Sequence, residues 1–213
     1  MAASHVLPSA TPAVVHGLMV EANGIARKVL EQVLAQGLMQ RVDVRWIRSP
    51  KDFRRETTPT LPAIALVDLD HAPDEACALL ASLPASCLKI ATTLYEDEER
   101  LLPALKCDLH GYLLKQDRLE QQIEHLQRVV RGSPVMSPIL AQALLDLPPY
   151  ELKGLETRDT AMLEQVARGL SPREIARHHG LNLAAQDAAI SRVYQAMGRQ
   201  PSKRPSRAIE SRT

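Results

Sequence analysis

Aromatic side chains are almost missing from this chain. One tryptophan, one phenylalanine and four tyrosines make up 3% of its 213 residues, so a core has to be built from Leu, Ala, Val and Ile. Cysteine is equally sparse. Cys77, Cys87 and Cys107 are odd in number and lack metal-ligand spacing, which reads as reduced packing thiols rather than a disulfide framework or a zinc site. No stretch approaches the roughly 18 unbroken apolar residues of a membrane span. Residues 1–12 are small and polar, without the charged start and apolar run of a secretory signal. A soluble, cytoplasmic protein with no membrane partner is expected. A nucleophile–base pairing, a glycine-rich phosphate loop and a redox motif are missing too, so no enzymatic activity is expected.

A strong overall charge is also lacking, but the formal +1 is unevenly spread. Residues 1–154 hold 16 Lys/Arg against 19 Asp/Glu, and residues 155–198 hold five of each. The last stretch, 199–213, sets Arg199, Lys203, Arg204, Arg207 and Arg212 against Glu210 alone. This pattern predicts a globular body with a basic, disordered end.

What is present is an alternation of two periods. "AVVHGLMV", "VDVRWI", "AIALVDLD", "CLKIATT" and "GYLLK" are near-continuous apolar runs of strand length. Between and after them, "IARKVLEQVLAQG", "DEACALLASL", "DEERLLPALKC" and "RLEQQIEHLQRVVRG" repeat apolar residues at helical spacing. Such an alternation predicts a five-stranded parallel sheet with helices on both faces. "RSPKDFRRETTPTLP" carries three prolines and many charges, so any helix there is short. "GSPVMSPILAQALLDLPPYELKG" is a proline-rich linker with a helix expected at about 137–146.

The remainder, to residue 198, is helical throughout. "GLSPREIARHHGLNLAAQDAAISRV" has the layout of a helix-turn-helix DNA reader, two short helices joined by a glycine turn. Ser171 is a good N-cap, Pro172 fits the first helical position, and Glu174 completes a capping box. The second helix raises a question, because it places Asp187 where a phosphate or base edge would lie. His178 and His179 read as a surface pair at the turn, Tyr194 and Met197 as core or dimer contacts, and His110 as a strand-edge residue.

In an open parallel sheet, function gathers at the carboxyl ends of the strands. Those ends carry Glu21, Asp68 with Asp70, Thr93 and Lys115. Carboxylates, a hydroxyl and an ammonium converging there suit a divalent cation and a phosphoryl group.

On these residues the first part of the chain resembles the receiver domain of response regulators, a flavodoxin-like fold. "YEDEERLLPALKCDLHGYLLK" is similar to that family's fourth helix and fifth strand. "LETRDTAMLEQVARGLSPREIARHHGLNLAAQDAAISRVYQAMG" resembles the LuxR/NarL (FixJ) type of helix-turn-helix across its length. The resemblance implies a phosphoacceptor at Asp68, a switch hydroxyl at Thr93, a switch aromatic at Tyr112 and the family lysine at Lys115. It implies magnesium ligation by Glu21 and Asp68. The family places two adjacent acids after its first strand, whereas Glu21 is followed here by Ala22, so the cation site is half built. Asp70 is a partial substitute ligand. No cofactor is required on this reading, and magnesium is at most an optional one.

The resemblance divides the chain into a disordered N-terminus (1–12), a receiver-like domain (13–131), a helical linker (132–153), an all-α helix-turn-helix domain (154–198) and the basic tail (199–213). DNA-contact candidates are Arg173, Gln186, Asp187, Ala188, Ser191, Arg192 and Gln195. Arg192 has the chemistry to grip a guanine or a phosphate, and Asp187 to accept from a cytosine amino group. The implied function is an atypical two-component transcription regulator with a degenerate phosphorylation site, acting on double-stranded DNA as a homodimer, with a sensor kinase or another regulator protein as partner. Two alternatives stand beside it. One is a receiver-like interaction protein whose helix-turn-helix no longer binds DNA specifically. The other is a phosphorylation switch working through Asp68.

Overall fold

The computed structural model describes residues 15–38, 41–54, 61–179 and 182–198. The expectations for residues 1–12, for the tail and for the turn at 180–181 lie outside these residues. So do the side chains of residues 178 and 179.

Each apolar run forms a strand: β1 (Val15–Val20), β2 (Val42–Ile47), β3 (Ile64–Asp68), β4 (Leu88–Thr93) and β5 (Gly111–Leu114). All neighbours pair in parallel, in the order β2-β1-β3-β4-β5. This is the doubly wound order of flavodoxin-like proteins. Every residue of β3 is buried, while β2 at the edge is mostly half-buried. A strand covered on both faces needs apolar residues at every position, which is why "IALVD" shows no alternation.

Successive side chains of a strand point to opposite faces. Met19 therefore enters a core with Leu30, Val33 and Leu34 of α1 (Gly24–Gly37) and Leu126 and Val129 of α5 (Leu119–Val130), while Leu18 and Val20 enter a second core. Asn23 starts α1, accepting from the amides of Ile25 at 2.8 Å and Ala26 at 3.2 Å. Close packing of α5 depends on Gly111, where an added Cβ would lie 2.4 Å from Cγ2 of Val129. On the other face lie α2 (Pro50–Arg54), α3 (Pro73–Ser82) and α4 (Glu98–Leu105). The helix expected to be short after β2 spans five residues.

The linker helix forms as α6 (Pro138–Leu145), with Ser137 Oγ accepting from Leu140 N at 3.1 Å. A 3-10 turn (Pro149–Leu152) leads to α7 (Thr157–Ala167), α8 (Pro172–His179) and α9 (Leu183–Gly198). The capping box at α8 forms as expected, with Ser171 N donating to Glu174 Oε2 at 2.8 Å and Glu174 N to Ser171 Oγ at 3.4 Å.

The second core does not stop at the linker. Leu101, Ala104 and Leu105 of α4 are continuous with Leu140 and Leu144 of α6, Met162 and Leu163 of α7, and Val193, Tyr194 and Met197 of α9. α6 packs against α4 on one side and α7 on the other. It is a wedge shared by the α/β half and the helical half. Tyr194 and Met197 are core residues.

Candidate functional site

The five strand-end positions meet around one ammonium. Lys115 follows β5, and its Nζ lies 2.5 Å from Asp68 Oδ1, 2.7 Å from Glu21 Oε2 and 3.1 Å from Asp70 Oδ2. The Glu21 contact is an ion pair rather than a well-aligned hydrogen bond. Glu21 is 0% exposed and Asp68 4% exposed, so each carboxylate depends on protein partners rather than on water. Burial works against the charge on Lys115, but the Asp68 and Glu21 carboxylates outweigh it and hold the amine above its ordinary value. Burial also opposes the charge on Asp70. The Thr93 hydroxyl, Lys115 and the Leu94 amide prevail, keeping its carboxyl below the usual range.

Asp68 ends β3 with both oxygens occupied. Oδ1 accepts from Lys115 and, at 3.0 Å, from the amide of Asp70, while Oδ2 lies 2.5 Å from Nδ1 of His71. His71 is a residue that the strand-end reading missed. It sits in the turn after β3, where no period marks it, and it is half exposed over the buried Asp68 carboxylate. Thr93 Oγ1 donates to Asp70 Oδ1 at 2.7 Å. Asp70 thus serves as the acceptor for Thr93 and the Leu94 amide. Tyr112 is buried on β5, and its hydroxyl donates to Glu96 Oε1 at 2.7 Å. Burial and the Glu96 charge push that phenol up. Beside Lys115, a cleft of about 250 Å³ is lined by Asn23, Ile25, Ala26, His71 and Leu94 among others.

Ligand atoms of Glu21, Asp68 and His71 lie within 4.8 Å of one another. Magnesium does not fit this set. It is a hard cation that takes oxygen ligands in near-octahedral geometry, and here one ligand is an imidazole. Ala22 supplies no second acid, and the Lys115 ammonium already sits among the three carboxylates. The only tryptophan, Trp46, donates its indole N–H to the backbone oxygen of Glu21 at 2.8 Å, which makes it a local reporter. Titration with millimolar magnesium should leave Trp46 emission unchanged. A saturable change would show that the cation displaces Lys115.

The helical half departs further from the sequence reading. Gln186 is 2% exposed, in the core of α9 rather than on an open face, because it falls on the helical stripe of Ala189, Ile190 and Val193. Asp187 Oδ1 accepts from Arg128 Nη2 of α5 at 3.0 Å. Ser191 Oγ donates to the carbonyl of Gly132, and the Tyr194 hydroxyl to the carbonyl of Val135 at 2.8 Å. Arg192 clasps Asp159, which is 0% exposed, with Nη2 at 2.6 Å and Nε at 3.2 Å from Oδ1. Asp159 also accepts from the Glu156 amide at 3.1 Å, closing a box at the start of α7. Ala188, Gln195 and Arg173 are exposed. Arg128, Gly132 and Asp159 were not legible as partners, since each lies 33 to 59 residues from the group it holds.

No family model matches the chain. Oxygen regulatory protein NreC of Staphylococcus carnosus (strain TM300) is 25% identical over 152 residues, 63% of this chain and 69% of that protein. Transcriptional regulatory protein YdfI of Bacillus subtilis (strain 168) is 21% identical over 115 residues, 51% of this chain and 54% of that protein. Among solved structures, the RcsB response regulator of Salmonella typhimurium aligns with a TM-score of 0.49 at 15% identity, covering 88% of this chain and 94% of RcsB. Among the described residues no helix is long and apolar enough to cross a membrane. The likeness to response regulators of the LuxR/NarL type, first carried by the chain's motifs, is shared by its curated relatives and agrees with its receiver-like sheet.

Proposed function

We propose that this chain is a DNA-binding transcription regulator of the response-regulator type, with its helix-turn-helix held closed against the receiver-like half. The domain division at 131/132 and 153/154 belongs to the proposal, as do action as a homodimer and a sensor kinase or other regulator as partner. Asp187 carries it. An acid on a recognition helix is repelled by phosphates, but here it has an internal counter-charge in Arg128. Its place on α9 is accounted for by the closed arrangement, so it does not argue that DNA reading has been lost. Ser191 and Gly132 reinforce that lock. The similarity to YdfI, a transcriptional regulatory protein, supports the same reading.

The receiver-like half acts with a degenerate phosphorylation site. Asp68 is the acceptor by position, with Lys115 beside it and Thr93 ending the neighbouring strand. A phosphoryl group would need His71 to swing from Oδ2, and the missing second acid leaves its developing charge poorly neutralised.

Sheared genomic fragments incubated with the purified full chain test the function. The wild type should enrich a shared, roughly palindromic site, and Ala188→Glu with Gln195→Glu should abolish enrichment, since both positions are exposed on α9. Equal recovery by the two proteins would favour the protein-binding alternative.

A further inference from the structure

The two edges of the sheet are unlike. β5 is four residues long, whereas β2 has six and pairs with β1 in unbroken register. Native sheets blunt an edge with proline, lysine, a bulge or a very short strand. β2 has none of these devices. The oxygen of Arg41 accepts from Val15 N at 3.3 Å and that of Ile47 from Glu21 N at 3.1 Å. In a parallel ladder alternate residues bond the same neighbour, so the odd-numbered residues of β2 face β1. The N–H and C=O groups of Val42, Val44 and Trp46 point off the sheet, and no described residue bonds them.

Clefts follow this edge on alternating faces. On the α1 face, one of about 340 Å³ adjoins Leu34, Val42 and Val44, and another of about 320 Å³ adjoins Arg27, Trp46 and Arg48. On the opposite face, one of about 220 Å³ adjoins Asp43, Arg45 and Phe53. The α1-face clefts are cationic. Lys28, Arg41 and Arg48 are exposed and have no acid at ion-pair distance among the described residues. Glu31, the one acid lining both clefts, is already bonded to Arg27 at 2.7 Å.

We propose that β2 is a docking edge for an extended acidic segment of a partner protein, which adds to the sheet as a further strand. Main-chain bonds to Val42, Val44 and Trp46 would hold it, and the clefts would select its alternate side chains. Acidic side chains face α1, with Arg41 and Arg48, and apolar ones face Phe53. Two copies of this chain meeting edge to edge would bring like charges together, which opposes pairing. An acidic partner removes that conflict. The edge makes no use of the helix-turn-helix, so failure here leaves the DNA-binding reading standing.

A labelled peptide alternating glutamate with valine, titrated with the full-length chain and followed by fluorescence anisotropy, tests the proposal. It should bind saturably, and about tenfold tighter than the same peptide with lysine in place of glutamate. N-methylation of the alternate peptide amides that meet β2 leaves the protein untouched and should weaken binding about tenfold. Val44→Pro should do the same, since the Val44 N–H has no ladder bond to lose. Amide exchange in residues 42–47 should slow severalfold in the complex. Absent binding, equal binding of the lysine peptide, or indifference to N-methylation at either alternate set would overturn the proposal. A dimer of the free chain that Val44→Pro dissociates would assign the edge to a second copy and overturn it too.

Discussion

Replacing Lys115 by methionine should lower the unfolding free energy by about 4 kcal/mol, because removing one partner from a buried ion pair leaves uncompensated charge. Three carboxylates lose their shared counter-ion at once. Glu21, at 0% exposed, and Asp68, at 4%, have no water to replace it. In a chain of this size the loss corresponds to a fall in Tm of about 10 °C. Urea unfolding followed by circular dichroism measures it. Adding Glu21→Gln to the methionine variant should recover part of the loss by removing one orphaned charge. A methionine variant within about 1 kcal/mol of the wild type would mean that the carboxylates take up protons or water at little cost.

The second large effect concerns Arg192, whose resemblance-based role was DNA contact. In the structure its guanidinium is committed to the buried carboxylate of Asp159 through Nε and Nη2. That bond, the largest influence on it, raises the guanidinium further above its ordinary value. Arg192→Ala should therefore destabilise the fold by about 2 kcal/mol, less than for a fully buried pair because the arginine side chain is 35% exposed. Arg192→Lys should fall between the two, since a point charge cannot reproduce two parallel N–H bonds. The unfolding midpoint and fragment affinity, measured together, separate the roles. An unchanged midpoint with lost affinity would return Arg192 to the DNA interface.

The sheet was legible because its signals are local. "VDVRWI" forms β2 over the residues read from it, and "GSPVMSPILAQALL" yields the linker helix to within a residue at each end. The strand-end cluster was legible for a related reason. A parallel sheet carries all its carboxyl ends to one edge, so Glu21, Asp68, Asp70, Thr93 and Lys115 had to converge once the strands were recognised. What escaped the sequence was long-range or aperiodic. His71 lies in a turn. Gln186 is polar, yet helical phase puts it in the core. Arg128 meets Asp187 across 59 positions, and no periodicity encodes a meeting between α5 and α9.

The acid on α9 links these results. If Asp187 serves the closed state, opening that state should favour DNA. A partly exposed ion pair contributes up to about 1 kcal/mol, and about 1.4 kcal/mol corresponds to a tenfold change in an equilibrium constant. The most direct measurement is the Kd of wild type and Arg128→Ala for the enriched genomic site, at one fixed salt concentration. The account predicts binding about fivefold tighter for Arg128→Ala, because α9 loses its counter-charge on α5. Unchanged or weaker binding by a variant of unaltered Tm would contradict it.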